Sequence, residues 1–152
     1  MLTGKCGSSG GWDNGGKPFS DGAIQEGESI HEVRIWSGDK VDAVQVVART
    51  KEGVSYELEK HGGAGGQEHV LPLDLDEYIT GISGKFGEFV DSICIHTNKK
   101  QSTHFGGQGG YSYYEYTFPE GEEVIGFFGR GGELIDSIGV IHRLRADAHG
   151  SA

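Results

Sequence analysis

The sequence predicts an all-β chain in which three similar units of short strands pack as three sheets around one axis. Three observations lead there. Glycine supplies 28 of 152 residues, against an ordinary share of about 7%, and the glycines bracket short apolar runs as turns bracket strands. Those runs carry β-branched and aromatic side chains, and none keeps a helical apolar period over the roughly 10–12 residues a helix needs. Two sequence motifs also recur three times in the same order, the mark of a repeated supersecondary unit.

Taken in chain order, the first unit has HEVRIWSG, VDAVQVVART and VSYELEK, divided by Gly-Asp and Glu-Gly turns. The second has EHVLPLDL, EYITGISG and FVDSICIHT, and the third YSYYEYTF, EVIGFFG and LIDSIGVIHRL. One motif is carried by GDKVDAVQVV from Gly38, GEFVDSICIH from Gly87 and GELIDSIGVI from Gly132. Each reads Gly, an acid, two variable residues, Asp and a small residue, at spacings of 87 − 38 = 49 and 132 − 87 = 45. The other is a glycine loop: GGWDNGG over 10–16, GGAGG over 62–66 and GGQGG over 106–110. Their last glycines are separated by 66 − 16 = 50 and 110 − 66 = 44. Such units would serve as propeller blades, but propellers have at least about four. Three sheets closed as a prism suit this chain length and bury faces that no unit could bury alone.

A single domain over 1–152 is expected, with a flexible tail at about 146–152. The formal net charge of −10 argues against the phosphate contacts of nucleic-acid binding and against docking on anionic membranes. No apolar run approaches the roughly 20 residues of a spanning helix, so no membrane insertion is expected. The opening MLTGKCGSSG has no signal-peptide core, so the expectation is a cytoplasmic protein or a secreted one in mature form. Cys6 and Cys94 would close a loop of 94 − 6 = 88 residues. Two free thiols are favoured over that bridge.

In the first motif, a glycine and a polar residue at a strand end form a turn that leaves backbone N–H groups pointing outward. Asp136 then stands on a rigid strand end, beside the N–H groups of Glu133 and Leu134. One carboxylate accepts while those N–H groups donate, which suits a pair of adjacent hydroxyls. In the glycine loops, Gly66 or Gly110 lets backbone N–H approach a ligand closely. A phosphate loop would need GxxxxGK[ST] opening a helix. Here the loops run into strands beside acids, so a neutral polyol fits better than an anion.

Three other readings compete. Asp42, Asp91 and Asp136 are solvated turn carboxylates if the motif only shapes the fold. Glu133/Asp136, Glu88/Asp91 and Asp39/Asp42 are acid pairs of the kind a glycosidase uses. Catalysis gains little from three copies of a site, however, whereas linked weak binding sites gain roughly 10²–10⁴ in avidity; no enzyme is expected. Metal binding finds no support in seven scattered histidines, none at ligand spacing. The acidic run Asp74, Asp76, Glu77 lacks the pattern of a calcium loop and reads as a solvated strand end.

FFGRGGELIDSIGV, WSGDKVDAV and the GGxGG loops resemble the jacalin-related lectins, in the mannose/glucose-binding branch, from about Gly10 to Leu144. The resemblance implies a β-prism I of three four-stranded antiparallel Greek-key sheets with pseudo-threefold symmetry, and sugar bound at one end without metal or cofactor. It implies that the motif aspartate takes the sugar's 4- and 6-hydroxyls. The N–H groups of the two residues after the motif glycine join it, as does the last glycine of a GG loop. By position, Gly16 joins Glu133, Leu134 and Asp136; Gly66 joins Asp39, Lys40 and Asp42; Gly110 joins Glu88, Phe89 and Asp91. Three complete motifs imply three sites. The first loop is two residues longer than the others, and Lys40, Phe89 and Leu134 differ in size and charge, so the sites need not be equal.

Galactose-binding members are usually cleaved to free an N-terminal glycine, and no such processing is visible, so mannose or glucose is favoured. The expectation is a calcium-independent, multivalent lectin for mannose/glucose-containing glycans and glycoproteins, a homo-oligomer with a dimer favoured. The alternatives are galactose binding, or a structural or interaction module without lectin activity. Trp12, Tyr111, Tyr113 and Tyr114 flank the glycine loops, with packing favoured over sugar stacking; Phe127 and Phe128 are expected in the core.

Overall fold

The computed structural model describes residues 3–9, 16–22, 24–100, 104–119 and 121–145, the first stretch as backbone. Among the described residues every regular element is a β-strand. In chain order these are β1 (Thr3–Ser9), β2 (Lys17–Ser20), β3 (Ser29–Ser37), β4 (Val41–Arg49), β5 (Ser55–Glu57), β6 (His61–Gly62), β7 (Gln67–Pro72), β8 (Ile79–Phe86), β9 (Ser92–Thr97), β10 (Phe105–Gly106), β11 (Ser112–Thr117), β12 (Glu122–Gly131) and β13 (Ile135–Leu144). Trp12, the side chain of Cys6, with it the question of a Cys6–Cys94 bridge, and the tail at 146–152 lie outside the described residues.

Three long hairpins dominate: β3–β4, β8–β9 and β12–β13, all antiparallel. Their sequences are the densest in β-branched residues, and the inward face of each is apolar. Val33 pairs with Val46 and Ile35 with Val44 in the first hairpin; Ile82 pairs with Ile95 in the second; Phe127 pairs with Val140 in the third. All eight side chains are fully buried in one shared core. Each contributes about 1.5–3 kcal/mol by leaving water, and this shared core ties the three hairpins together. Phe128 is half-buried against a smaller cluster of Ile24, Ala48, Ile125 and Ile141.

The short strands flank the hairpins. β4 carries β5 and β6, and β3 carries β7, giving a five-stranded sheet. The remaining eight strands form one hydrogen-bonded sheet in the order β1-β13-β12-β8-β9-β10, with β11 on β8 and β2 on β12. Hydrogen bonding thus outlines two sheets where three were expected. The two halves of the larger sheet are joined by one residue pair, Val124↔Ile79. Both residues are 1% exposed, and backbone polar groups that meet in the core must pair.

β1 and β2 were not legible as strands. They complete the last hairpin from the far end of the chain, Cys6 opposite Val140 and Phe19 opposite Gly129. Neither has an apolar alternation, and Pro18 is tolerated because β2 is an edge strand. The end of β2 is tied down by Asp21, whose carboxylate accepts from the Phe127 N–H at 2.8 Å and meets His61 Nε2 at 2.7 Å. His61 in turn stacks on Phe19, with ring centroids 4.2 Å apart. One buried cluster therefore anchors β2, β6 and β12, and with them the starting and ending points of two glycine loops.

Candidate functional site

Each long hairpin bends at one copy of the Gly-acid-x-x-Asp motif, and the bend closes the same way three times. The N–H of Gly38 donates to the carbonyl of Lys40 (3.0 Å), that of Gly87 to Phe89 (3.0 Å) and that of Gly132 to Leu134 (2.9 Å). This bond consumes the glycine N–H. Among the described residues the N–H groups of Asp39, Lys40, Glu88, Phe89, Glu133 and Leu134 find no protein acceptor.

The residue before each motif aspartate is Val41, Val90 or Ile135, each 0% exposed. Here the turns bond to one another: Val41 N–H donates to Val90 O at 3.0 Å, and Val90 N–H to Ile135 O at 2.9 Å. The motif's fourth position is therefore an aliphatic plug that gathers the three turns into one patch. Read as a variable position in the sequence, it carried a visible signal, since all three copies place a β-branched aliphatic there.

The glycine loops close over the aspartates. Gly16, Gly66 and Gly110 have φ of 60°, 83° and 108°, a region that residues with a side chain avoid. A Cβ on Gly16 would fall 2.7 Å from Asp136 Oδ1, and one on Gly66 2.7 Å from Asp42 Oδ1. At Gly110 it would meet Lys85 Cβ at 2.9 Å and the Phe86 backbone instead. The structure thus brings Gly16 to Asp136 and Gly66 to Asp42, whereas the glycine facing Asp91 is Gly109, 3.0 Å from Oδ2 by the same measure. Gly65 faces Asp42 Oδ2 in the corresponding way, at 2.9 Å. The second and third loops also touch a further turn: Gly63 lies on the Glu133 backbone and Gly107 on that of Asp39, too close for any side chain.

The carboxylates are withdrawn from solvent to different degrees. Asp91 is 3% and Asp136 7% exposed, and Asp42 is half-buried. Burial pushes the Asp42 carboxyl above the usual aspartate range. It does the same to Asp136, opposed by the charge of Arg130, whose Nη2 also donates to the Gly16 carbonyl at 3.1 Å. Among the described residues neither Asp42 nor Asp136 accepts a hydrogen bond from the protein. Asp91 differs: Lys40 Nζ lies 2.8 Å from its Oδ2.

The flanking aromatics divide. Tyr111 and Tyr113 are exposed beside Gly110, whereas Tyr114 is buried and donates its hydroxyl to Ser92 O at 2.8 Å. The acidic run departs from its expectation at one residue. Asp74 and Asp76 are exposed and hold Lys99 at 3.3 and 2.6 Å, but Glu77 is buried and accepts from Asp74 N–H and Thr97 Oγ1. It braces two loops as a buried acceptor. Among the described residues no three His, Cys, Asp or Glu side chains converge as a metal site.

The sequence model of the family described as "Jacalin-like lectin domain" matches residues 6–141. An agglutinin of Castanea crenata is 32% identical over 84% of this chain; the match takes in 43% of that protein, so the chain spans less than half its length. Jacalin-related lectin 19 of Arabidopsis thaliana is 33% identical, with 90% of this chain and 85% of the relative covered. Among solved structures, a mannose-specific jacalin-related lectin from Morus nigra in complex with mannose superposes with a TM-score of 0.82 at 25% identity, covering 95% of this chain and 96% of that one.

Proposed function

Because the chain belongs to the jacalin-like lectin domain family, we propose that it is a calcium-independent, multivalent lectin for mannose- and glucose-type glycans. The family's members bind sugar without turning it over, so Glu133 and Asp136 are not a glycosidase pair. The sites we assign are Asp42 with the Asp39 and Lys40 N–H groups and Gly66; Asp91 with Glu88, Phe89 and Gly110; and Asp136 with Glu133, Leu134 and Gly16. We read the sheets as three four-stranded units of a β-prism: the larger sheet parts at the Val124↔Ile79 pair into two, and in the smaller one β5 and β6, which both pair β4, count as one interrupted strand.

The observation that carries the proposal is the state of Asp42 and Asp136. Each is partly or largely withdrawn from water and meets no donor among the described residues, beside a positive-φ glycine and two N–H groups that find no acceptor there. An aspartate that merely shaped its turn would accept hydrogen bonds from that turn. A carboxylate left in this state favours a ligand that donates to it while accepting from the N–H groups, as two adjacent hydroxyls do. Mannose in the Morus nigra complex supports the hexose class. Glucose shares the 4- and 6-hydroxyls, while galactose inverts the 4-hydroxyl.

Hydrogen bonds to a charged group contribute about 1.5–3 kcal/mol each against an association cost of at least about 4 kcal/mol. A single site is therefore expected near the millimolar range, about −4 kcal/mol. Useful affinity then comes from three turns gathered in one patch and from a dimer. The test is calorimetry with methyl α-mannoside, with and without a chelator, on the wild type and on the triple Asp42→Ala, Asp91→Ala, Asp136→Ala variant. Binding is expected in the wild type in both buffers and absent in a variant that still folds. Undiminished binding by the variant would sink the site assignment.

A further inference from the structure

Resting on that sugar-binding reading, we propose that Lys40 is a specificity-determining residue that sets the Asp91 site apart, its ammonium holding the carboxylate a neutral sugar would have to claim. Lys40 Nζ lies 2.8 Å from Asp91 Oδ2; the Asp91 side chain is 4% exposed and that of Lys40 38%. The two residues belong to different hairpins. Lys40 reaches Asp91 because the first turn abuts the second, through the Val41–Val90 backbone bond and the packing of Asp39 on Gly107. Its counterparts in the other turns are Phe89 and Leu134, which have no charge to offer.

The ammonium supplies what a sugar hydroxyl would supply, a donor to the carboxylate, and a charged donor is the stronger one. It approaches on the loop side, since Oδ2 is the oxygen that faces Gly109. A neutral sugar at Asp91 must displace it. Lys40 is exposed enough to swing into water, so the barrier is that of one partly exposed ion pair, roughly three- to fivefold in affinity. Because salt screens such a pair, the Asp91 site gains affinity as ionic strength rises.

The Asp42→Ala, Asp136→Ala double variant leaves the Asp91 site alone and is titrated with methyl α-mannoside at low and high salt. It is expected to bind about three- to fivefold more weakly per site than the Asp91→Ala variant, and to improve with salt. Adding Lys40→Met, which keeps the aliphatic stem, should close the gap and abolish the salt effect, while Lys40→Arg in the same background should leave both in place. A Lys40→Met change that brings no gain, a gain equally large with Lys40→Arg, or a double variant whose affinity matches that of Asp91→Ala and ignores salt would overturn the inference. If the Lys40→Met protein does not fold, the salt response of the double variant decides alone. Wild-type protein that fails to bind methyl α-mannoside at all would instead remove the lectin reading, and this inference with it.

Discussion

Asp42 and Asp91 occupy the same point of two hairpins that turn in the same way, yet their surroundings differ. Asp42 is drawn out of water and meets no protein donor among the described residues, whereas Asp91 lies against an ammonium. The cause is not in either residue's own turn. It lies in the turn next door, which presents Lys40 to Asp91. Lys40 therefore belongs to two turns: its backbone helps form the bend beside Asp42, and its side chain reaches the neighbouring Asp91. In a repeated architecture of this kind, equivalent positions become unequal through the adjacent unit.

The largest expected effect is on the aspartates singly. Asp42→Ala and Asp136→Ala should each remove one binding equivalent, since losing a charged acceptor costs about 1.5–3 kcal/mol per hydrogen bond, or roughly ten- to a hundredfold. Asp91→Ala should reduce total binding least. A calorimetric titration in which all three variants lose the same amount would erase the contrast between the sites.

The glycines sharpen it next. Gly66→Ala puts a side chain at a left-handed position and against the Asp42 carboxylate, so it should cost about 1–2 kcal/mol of stability and the Asp42 site together. Gly110→Ala carries a similar backbone cost, but its Cβ meets Lys85 and Phe86 instead, so it should spare more of the binding. Chemical denaturation and a sugar titration on the same samples separate the two effects.

Acid gives a subtler discrimination. Burial raises Asp42 and Asp136 above the usual carboxylate range, so their sites should fade, as pH falls, before an ordinary aspartate would protonate. For stability the sign is opposite: a carboxyl whose folded pKa is raised favours folding at low pH, and that contribution is lost as pH rises through the window from the unfolded to the folded value. Asp42→Asn should therefore raise the unfolding temperature at neutral pH relative to its effect in acid, while losing sugar at that site. A melting temperature lowered equally at both pH values would contradict this. The smallest effect is expected from Arg130→Met. Removing the charge that holds Asp136 down should move the acid loss of binding at that site to higher pH, a shift that Arg130→Lys should largely avoid; NMR titration of Asp136 measures it.

Much of this was legible beforehand. The nine strands whose apolar runs alternate or stay aliphatic were readable because burial writes itself into side-chain pattern. β1 and β2 were not, because TGKCGSS and KPFS are edge segments whose contribution is backbone pairing, which any sequence can make. Recurrence singled out the three aspartates and the last glycine of each loop, and family resemblance joined Gly16 to a turn more than a hundred residues away; at Asp91, however, the glycine facing the carboxylate is Gly109, one residue before the expected Gly110. Lys40 was expected to act at the Asp42 site through its backbone N–H, and its side chain stood out only as differing in size and charge from Phe89 and Leu134. Its contact is with a residue 51 positions on, and no spacing rule connects them.

By itself, the sequence determined the all-β class, the three turns and the identity of the residues that meet in them, because turn chemistry, strand pattern and left-handed glycines are local properties of a chain. Tertiary structure alone decided which loop closes over which aspartate, which carboxylates meet no donor among the described residues, and which one a lysine holds. Those depend on distances between hairpins, set by the way Val41, Val90 and Ile135 lock together at 0% exposure. Packing at that point brings one turn's side chain onto the next turn's acid.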